Sequence, residues 1–423
     1  MKDMLKNTLL VLLTWALGFQ VYAANHLLIP MDYTQANHLK SYGLAYWVLE
    51  HGVEVEWLLN YRGGSFMCPA FPKFQTECDI RGISYETVSA GQKAGILAKV
   101  TAEDVNMDAV KLEKAPKIAV YSPKNKQPWD DAVTLVLTYA EIPYDVIYDG
   151  EVLKDTLREY DWLHLHHEDF TGQYGKFYAS YRHHRWYQDQ VASNEEIARR
   201  HGFQKVSQLK LAVSLKIKEY CAGGGFLFAM CSATDSYDIA LAAQNTDICE
   251  HMFDGDPADP GAQQKLDYSH SLAFEKFDLV DNPLIYEFSD IDVTQRRRVP
   301  KTLDEFTLFE FSAKYDPVPT MLCQNHTKVV KGFMGQTTAF RKSLLKKDVL
   351  VMGELKAYNE ARYIHGNVGE GMWTFYGGHD PEDYQHLVGE EPTDLNLHPN
   401  SPGYRLILNN ILFPAARKKK QKT

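Results

Sequence analysis

The chain has 423 residues, 45% of them hydrophobic and 12% aromatic, with a formal net charge of −10. That is the composition of an ordered globular protein, long enough for two or three domains or for one enlarged α/β unit with a large core. The acidic balance argues against nucleic acid as a partner, and no stretch approaches the roughly 20 apolar residues of a transmembrane helix.

Lys2 and Lys6 precede an apolar run from Thr8 to Phe19 that ends in Val21, Tyr22 and Ala23. This is the layout of a cleavable secretory signal over residues 1–23, so an exported, periplasmic or surface-associated protein is expected. An N-terminal α/β unit is expected over 24–115. Within it His26 to Asp32 reads as a strand, Asn37 to His51 as a helix and Val53 to Leu59 as a second strand. Cys68 and Cys78 lie in loop-like composition beside Pro69 and Pro72, and the spacing suits a disulfide in an exported chain. The other four cysteines fall in or near apolar segments, where a small buried hydrophobe is the usual role.

The same strand, helix, strand order recurs at Lys117–Tyr121, Trp129–Ala140 and Tyr144–Tyr148, as in units that build parallel sheets. A second domain over 116–415 takes further strands at 161–166, 225–230 and 372–376, a polar helical stretch at 176–220 and a long insertion at about 250–370. Asn400 and Ser401 are candidate caps for a closing helix from Pro402 to Leu412. Residues 416–423 read as a solvated basic tail.

Candidate chemistry gathers where strands of an open α/β sheet end. Ala229-Met-Cys-Ser-Ala233 has small residues two before and two after Cys231, as a sharp strand-to-helix turn requires. The following helix would favour a thiolate through its dipole and free N–H groups. A nucleophilic cysteine needs a base, and His379 follows an apolar strand and Gly377-Gly378. Asp380, Glu382 or Glu168 would orient that ring. The N–H of Ser232, with one from the Gly172 region, would hold an oxyanion, while Gly224 and Gly378 would let backbone approach a substrate.

His164 and His166 share a strand face, but ordinary polar packing is the expected role and no metal site is expected. Asp254, Asp256 and Asp259 read as an acidic solvent loop, Arg296–Arg298 as a solvated run or ion-pair partner, and Arg62-Gly-Gly-Ser65 as a weak anion-turn candidate. Neither a Walker A loop nor a complete dinucleotide fingerprint is present, so no cofactor is expected.

GGGFLFAMCSATD resembles the glycine-rich strand and turn of the trehalose-utilisation (ThuA-like) family within the class I glutamine amidotransferase-like superfamily, and GEGMWTFYGGHD is similar to that family's C-terminal strand and Gly-His. The resemblance covers roughly residues 117–415. It implies a flavodoxin-like, parallel-sheet α/β fold, with Cys231 at the position of the amidotransferase nucleophile, where the ThuA-like pattern usually has His. The whole chain also resembles an exported bacterial family labelled "asparagine synthetase B". The N-terminal Cys nucleophile and ATP pyrophosphatase signature of such a synthetase are not visible, so that label carries no synthetase chemistry here.

The resulting expectation is a Cys-dependent hydrolase or amidase acting on an envelope- or sugar-derived small molecule. The alternative is an inactive envelope binding or scaffold protein of the same fold, with other envelope proteins as partners. Neither expectation includes a membrane span.

Overall fold

The computed structural model describes residues 25–124, 128–385 and 387–417. The expected signal segment 1–23 and most of the expected basic tail lie outside them. No helix among the described residues is long and apolar enough to cross a membrane.

The first sheet is built from β1 (His26–Ile29), β2 (Val55–Leu59), β3 (Ser65–Pro69), β4 (Glu86–Val88) and β5 (Asp108–Leu112), in the order β4-β1-β3-β2-β5. Its helices are α1 (His38–Glu50), α2 (Pro72–Arg81) and α3 (Ala90–Thr101). The Asn37 side chain caps α1 by accepting from the Lys40 N–H. The strand-helix-strand reading of this region holds for its elements, but the sheet is not parallel. β3 inserts between β1 and β2 and runs antiparallel to both.

Cys68 lies on β3 and Cys78 on α2, both buried. The expected Cys68–Cys78 disulfide is corrected: all six cysteines are free thiols. Burial pushes both of these thiols up to about 12. They serve as small core hydrophobes rather than loop staples.

The second sheet starts with parallel strands β6 (Ile118–Tyr121), β7 (Asp145–Ile147), β8 (Trp162–Leu165) and β9 (Phe226–Met230). It continues with β10 (Glu305–Leu308), β11 (Val329–Lys331), β12 (Phe340–Arg341), β13 (Leu350–Leu355), β14 (Glu360–Val368) and β15 (Gly371–Tyr376). The order is β11-β10-β13-β14-β15-β9-β8-β6-β7, with β12 paired to β14. Strands β7, β6, β8, β9 and β15 are parallel, and β14, β13, β10 and β11 extend the sheet antiparallel. The fold is therefore α/β with mixed sheets rather than purely parallel, and much of the 250–370 segment is sheet extension.

Period-2 alternation sends Trp162, Phe228 and Met230 to one core and Leu163, Leu165, Leu227 and Ala229 to the other. The first core is closed by α1, α4 (Ala132–Ala140) and, at the end of the chain, the helix Pro402–Leu412. The second is closed by helices that follow α5 (Arg185–Arg200), namely α6 (Val206–Ala222) and α7 (Ser232–Ala242). Pro402–Leu412, here α8, begins behind Ser401, whose hydroxyl accepts from the Tyr404 N–H. Gly43 of α1 sits against α4 so closely that a Cβ there would lie 1.8 Å from Ala140 O.

Polar groups stitch the first unit to the C-terminal segment. His38 Nδ1 is 2.8 Å from Asn400 Oδ1 and its Nε2 is 2.9 Å from Met31 O. Its ring stacks on His326 at 4.3 Å, and Arg405 Nη1 lies 3.2 Å from His326 Nδ1. Burial, then the Arg405 charge, lowers His38 to about 4. His38 is therefore neutral in the fold and protonates more readily unfolded, so its stability contribution is present above about pH 6.5 and is lost as pH falls toward 4. The expected loss is about 3 kcal/mol. Urea unfolding at a series of pH values should show a shallower acid slope for His38→Gln; equal slopes would contradict this role.

Candidate functional site

The C-terminal edge of the parallel strands gathers the candidate chemistry. Cys231 follows β9 with φ +50° and ψ −138°, a strained conformation for a non-glycine residue, and α7 starts at Ser232. Such a conformation costs on the order of 1–3 kcal/mol and persists only where its surroundings impose it. Here Ala229 and Ala233, both fully buried, leave room for the reversal, and the Ala233 N–H donates to His166 O at 2.9 Å.

His379 leaves β15 through Gly377 and Gly378, and its imidazole lies beside Cys231 and is hydrogen-bonded to Asp130. The Nε2 to Asp130 Oδ1 distance is 3.4 Å. Burial alone would lower the imidazole, but the hydrogen bond to Asp130 and the neighbouring Cys231 outweigh it and raise His379 to about 10. Burial would raise Asp130, yet its hydrogen bond and attraction to His379 hold it below the usual carboxylate range. Thiol, imidazole and carboxylate thus form a chain of the kind that activates a sulfur nucleophile. Distances at the long end of the range are usual for catalytic hydrogen bonds without substrate.

Asp130 was not among the sequence candidates. It belongs to Trp129-Asp130-Asp131, between β6 and α4. Asp131 caps α4 by accepting from the Val133 and Thr134 N–H groups and also faces His164 and His166. The available signal was a pair of aspartates at a strand-to-helix junction on the site's edge of the sheet.

The other proposed orienting carboxylates are placed elsewhere. Glu168 is buried with its Oε2 3.4 Å from Tyr148 Oη, and burial pushes it up to about 7. Asp380 accepts from the Glu382 N–H, and Glu382 accepts from Ser401 Oγ, so both organise the turn leading to α8. Burial raises Asp380.

Ser232 is beside the thiol, and its hydroxyl is buried without a hydrogen-bond partner among the described residues. Gly172 instead presses on α6, where a Cβ would lie 2.7 Å from Ser207 Cα. Gly378, at φ +99°, accommodates the Phe333 ring, which a Cβ would meet at 2.3 Å. Gly224 precedes β9 and lies at the opposite edge, lining a cavity of 990 Å³ with Tyr160, Asp161 and Gly371. Five strand residues, about 17 Å, separate it from Cys231.

A loop of the 250–370 segment covers the sulfur. The Gln336 N–H donates to Cys231 Sγ at 3.2 Å, and Gln336 Nε2 donates to Gly175 O at 2.7 Å. Thr337 Oγ1 donates to Asp235 Oδ1, and the Thr338 N–H donates to Asp292 Oδ1. Cys231 and His379 are consequently almost wholly inaccessible in this arrangement.

Other sequence candidates are ion-paired. Asp254 and Asp256 surround the Lys205 ammonium with Asp247. Arg297 is buried between Asp304 and Glu360, and Arg62 pairs with Asp32 and Glu86.

No family model matches the chain, and no curated protein matches it. Among solved structures, two cytoplasmic proteins of Salmonella typhimurium are similar at 12% and 11% identity. Each match covers 71% of this chain and 100% of the other, with a TM-score of 0.33. A GH42 beta-galactosidase matches at 13% identity over 63% of this chain and 28% of the other, with a TM-score of 0.25.

Proposed function

We propose that the chain is an exported thiol-dependent hydrolase or amidase with the flavodoxin-like fold of the class I glutamine amidotransferase-like superfamily, nearest its ThuA-like branch. The observation that supports this most is the strained Cys231 beside an imidazole that Asp130 holds in turn. Cys231 Sγ would attack a carbonyl carbon while the imidazolium of His379 remains beside the sulfur. As the acyl-enzyme forms, the C–N bond breaks and His379 gives its proton to the leaving nitrogen. The imidazole then takes a proton from the water that attacks the thioester, and C–S cleavage releases the acid and restores the starting pair of sulfur and imidazolium. The Ser232 N–H at the start of α7 would stabilise the oxyanion. The loop bearing Gln336 must lift for substrate to enter.

The burial of Cys231 favours a second reading, an envelope binding protein that retains the turn without the reaction. Incubation of the full chain with primary amides and N-acyl amino sugars, with release of ammonia or amine as readout, separates the two. Release that disappears in Cys231→Ala supports the hydrolase. Release unchanged in that variant, or a Cys231 thiol that iodoacetamide reaches only on unfolding, overturns it.

A further inference from the structure

The thiol chemistry leaves unused a cluster of donors built on two buried histidines. Asp131, His164 and His166 bring their ligand atoms within 4.8 Å of one another. We propose that these three residues bind a divalent first-row transition-metal ion. The inference goes beyond the hydrolase reading and does not depend on any reaction of Cys231.

His164 carries the first part of the argument. Its Nδ1 lies 3.3 Å from Phe228 O and its Nε2 lies 3.2 Å from Asp131 Oδ2. Both ring nitrogens therefore face acceptors, whereas a neutral imidazole has one N–H and one lone pair. With the proton directed at the carbonyl, the Nε2 lone pair points at a carboxylate. A cation shared by the two turns that repulsion into coordination. A backbone carbonyl accepting from the distal N–H is also the arrangement that orients metal-bound histidines.

His166 supplies the second part. Its ring is almost fully buried, and neither nitrogen makes a well-aligned hydrogen bond among the described residues, although Nδ1 is 3.3 Å from Asp131 Oδ1. Separations of 3.2 and 3.3 Å are long for charge-assisted hydrogen bonds, which run about 2.7–2.9 Å. Each, one to either oxygen of the Asp131 carboxylate, is close to the edge of a tetrahedron with metal–ligand bonds of about 2.0–2.1 Å, which is roughly 3.3–3.4 Å. Asp131 is itself fixed by the Val133 and Thr134 N–H groups on Oδ1, as ligating carboxylates commonly are. Two imidazoles and one carboxylate suit zinc, iron(II) or cobalt(II) rather than magnesium or calcium.

A neighbouring trio, His166, His167 and His379, shares one member with this set. Its His379 is engaged by Cys231 and Asp130, and it lacks a carboxylate to balance the ion's charge.

The test uses the full chain, stripped with a chelator and returned to zinc or cobalt(II). Metal is counted by mass spectrometry, the cobalt ligand-field spectrum is recorded, and the thermal midpoint is measured with and without zinc. The expected result is about one ion per chain and a tetrahedral cobalt band, with at least tenfold weaker binding in His164→Gln and unchanged binding in His379→Ala. Asp131→Asn keeps a capping side chain and should also weaken binding at least tenfold. If His164→Gln does not fold, the wild-type midpoint shift and the Asp131→Asn and His379→Ala arms decide. Failure of wild type to retain zinc or cobalt overturns the proposal. So does binding that survives Asp131→Asn, or that disappears in His379→Ala and so belongs to the neighbouring trio.

Discussion

Lys210→Met should destabilise the protein by about 3–5 kcal/mol, because it strands a carboxylate in the core. Lys210 on α6 is buried, and its Nζ lies 3.0–3.1 Å from both oxygens of the fully buried Asp149. The ammonium also donates to Tyr121 Oη and Tyr148 Oη, each at 3.0 Å, while Tyr121 donates its proton to Asp149. Removing the ammonium leaves the Asp149 charge without its main partner and three oxygens without a donor. Urea unfolding of Lys210→Met, Asp149→Asn and the double variant reads the coupling. The double variant should recover a large part of the loss, since the uncompensated charge is gone. A loss below about 1 kcal/mol for Lys210→Met would show that the pair carries no such weight.

The same network explains why Glu168 is not available to His379. Its carboxylate is drawn to Tyr148 and the Lys210 charge, on the core closed by α6. From sequence, Glu168 and Asp169 sit just beyond β8 on the correct edge, and nothing local distinguishes a carboxylate aimed at the site from one aimed at the core. The distinction is made by Lys210, some 40 residues later, whose polar spacing within a helix reads as an exposed face.

Legibility follows how local each cause is. The turn at Cys231 was readable because its steric requirement falls on Ala229 and Ala233. The parallel strands were readable as short apolar runs between glycines and polar residues. The helix Pro402–Leu412 was readable from its proline and its serine cap. β3 was hidden by the loop-like letters around Cys68, yet SFMCP pairs with strands on both sides. β10 and β11 are four and three residues long and alternate exposed with buried positions. Segments that short are defined by the sheet they join, so the antiparallel extension could not be read locally. The cover over the sulfur depends on a backbone N–H from Gln336, 105 residues after Cys231, which no side-chain motif records.

Asp130→Asn should slow turnover by about 10²–10⁴-fold while leaving the thermal midpoint almost unchanged. Asparagine keeps the volume of the side chain but removes the negative charge that faces His379. Its amide also offers an N–H where the imidazole needs an acceptor, so the ring loses its orientation and its stabilisation as imidazolium. Because Asp130 acts on the sulfur only through His379, the double variant Asp130→Asn/His379→Ala should be no slower than His379→Ala alone. Iodoacetamide trapping of Cys231 in the native protein gives a readout that needs no substrate. Its rate should fall at least tenfold in His379→Ala and in Asp130→Asn, and Asp130→Glu should recover part of it. Equal trapping rates in wild type and Asp130→Asn would mean that the carboxylate 3.4 Å from the ring packs there without governing the thiol.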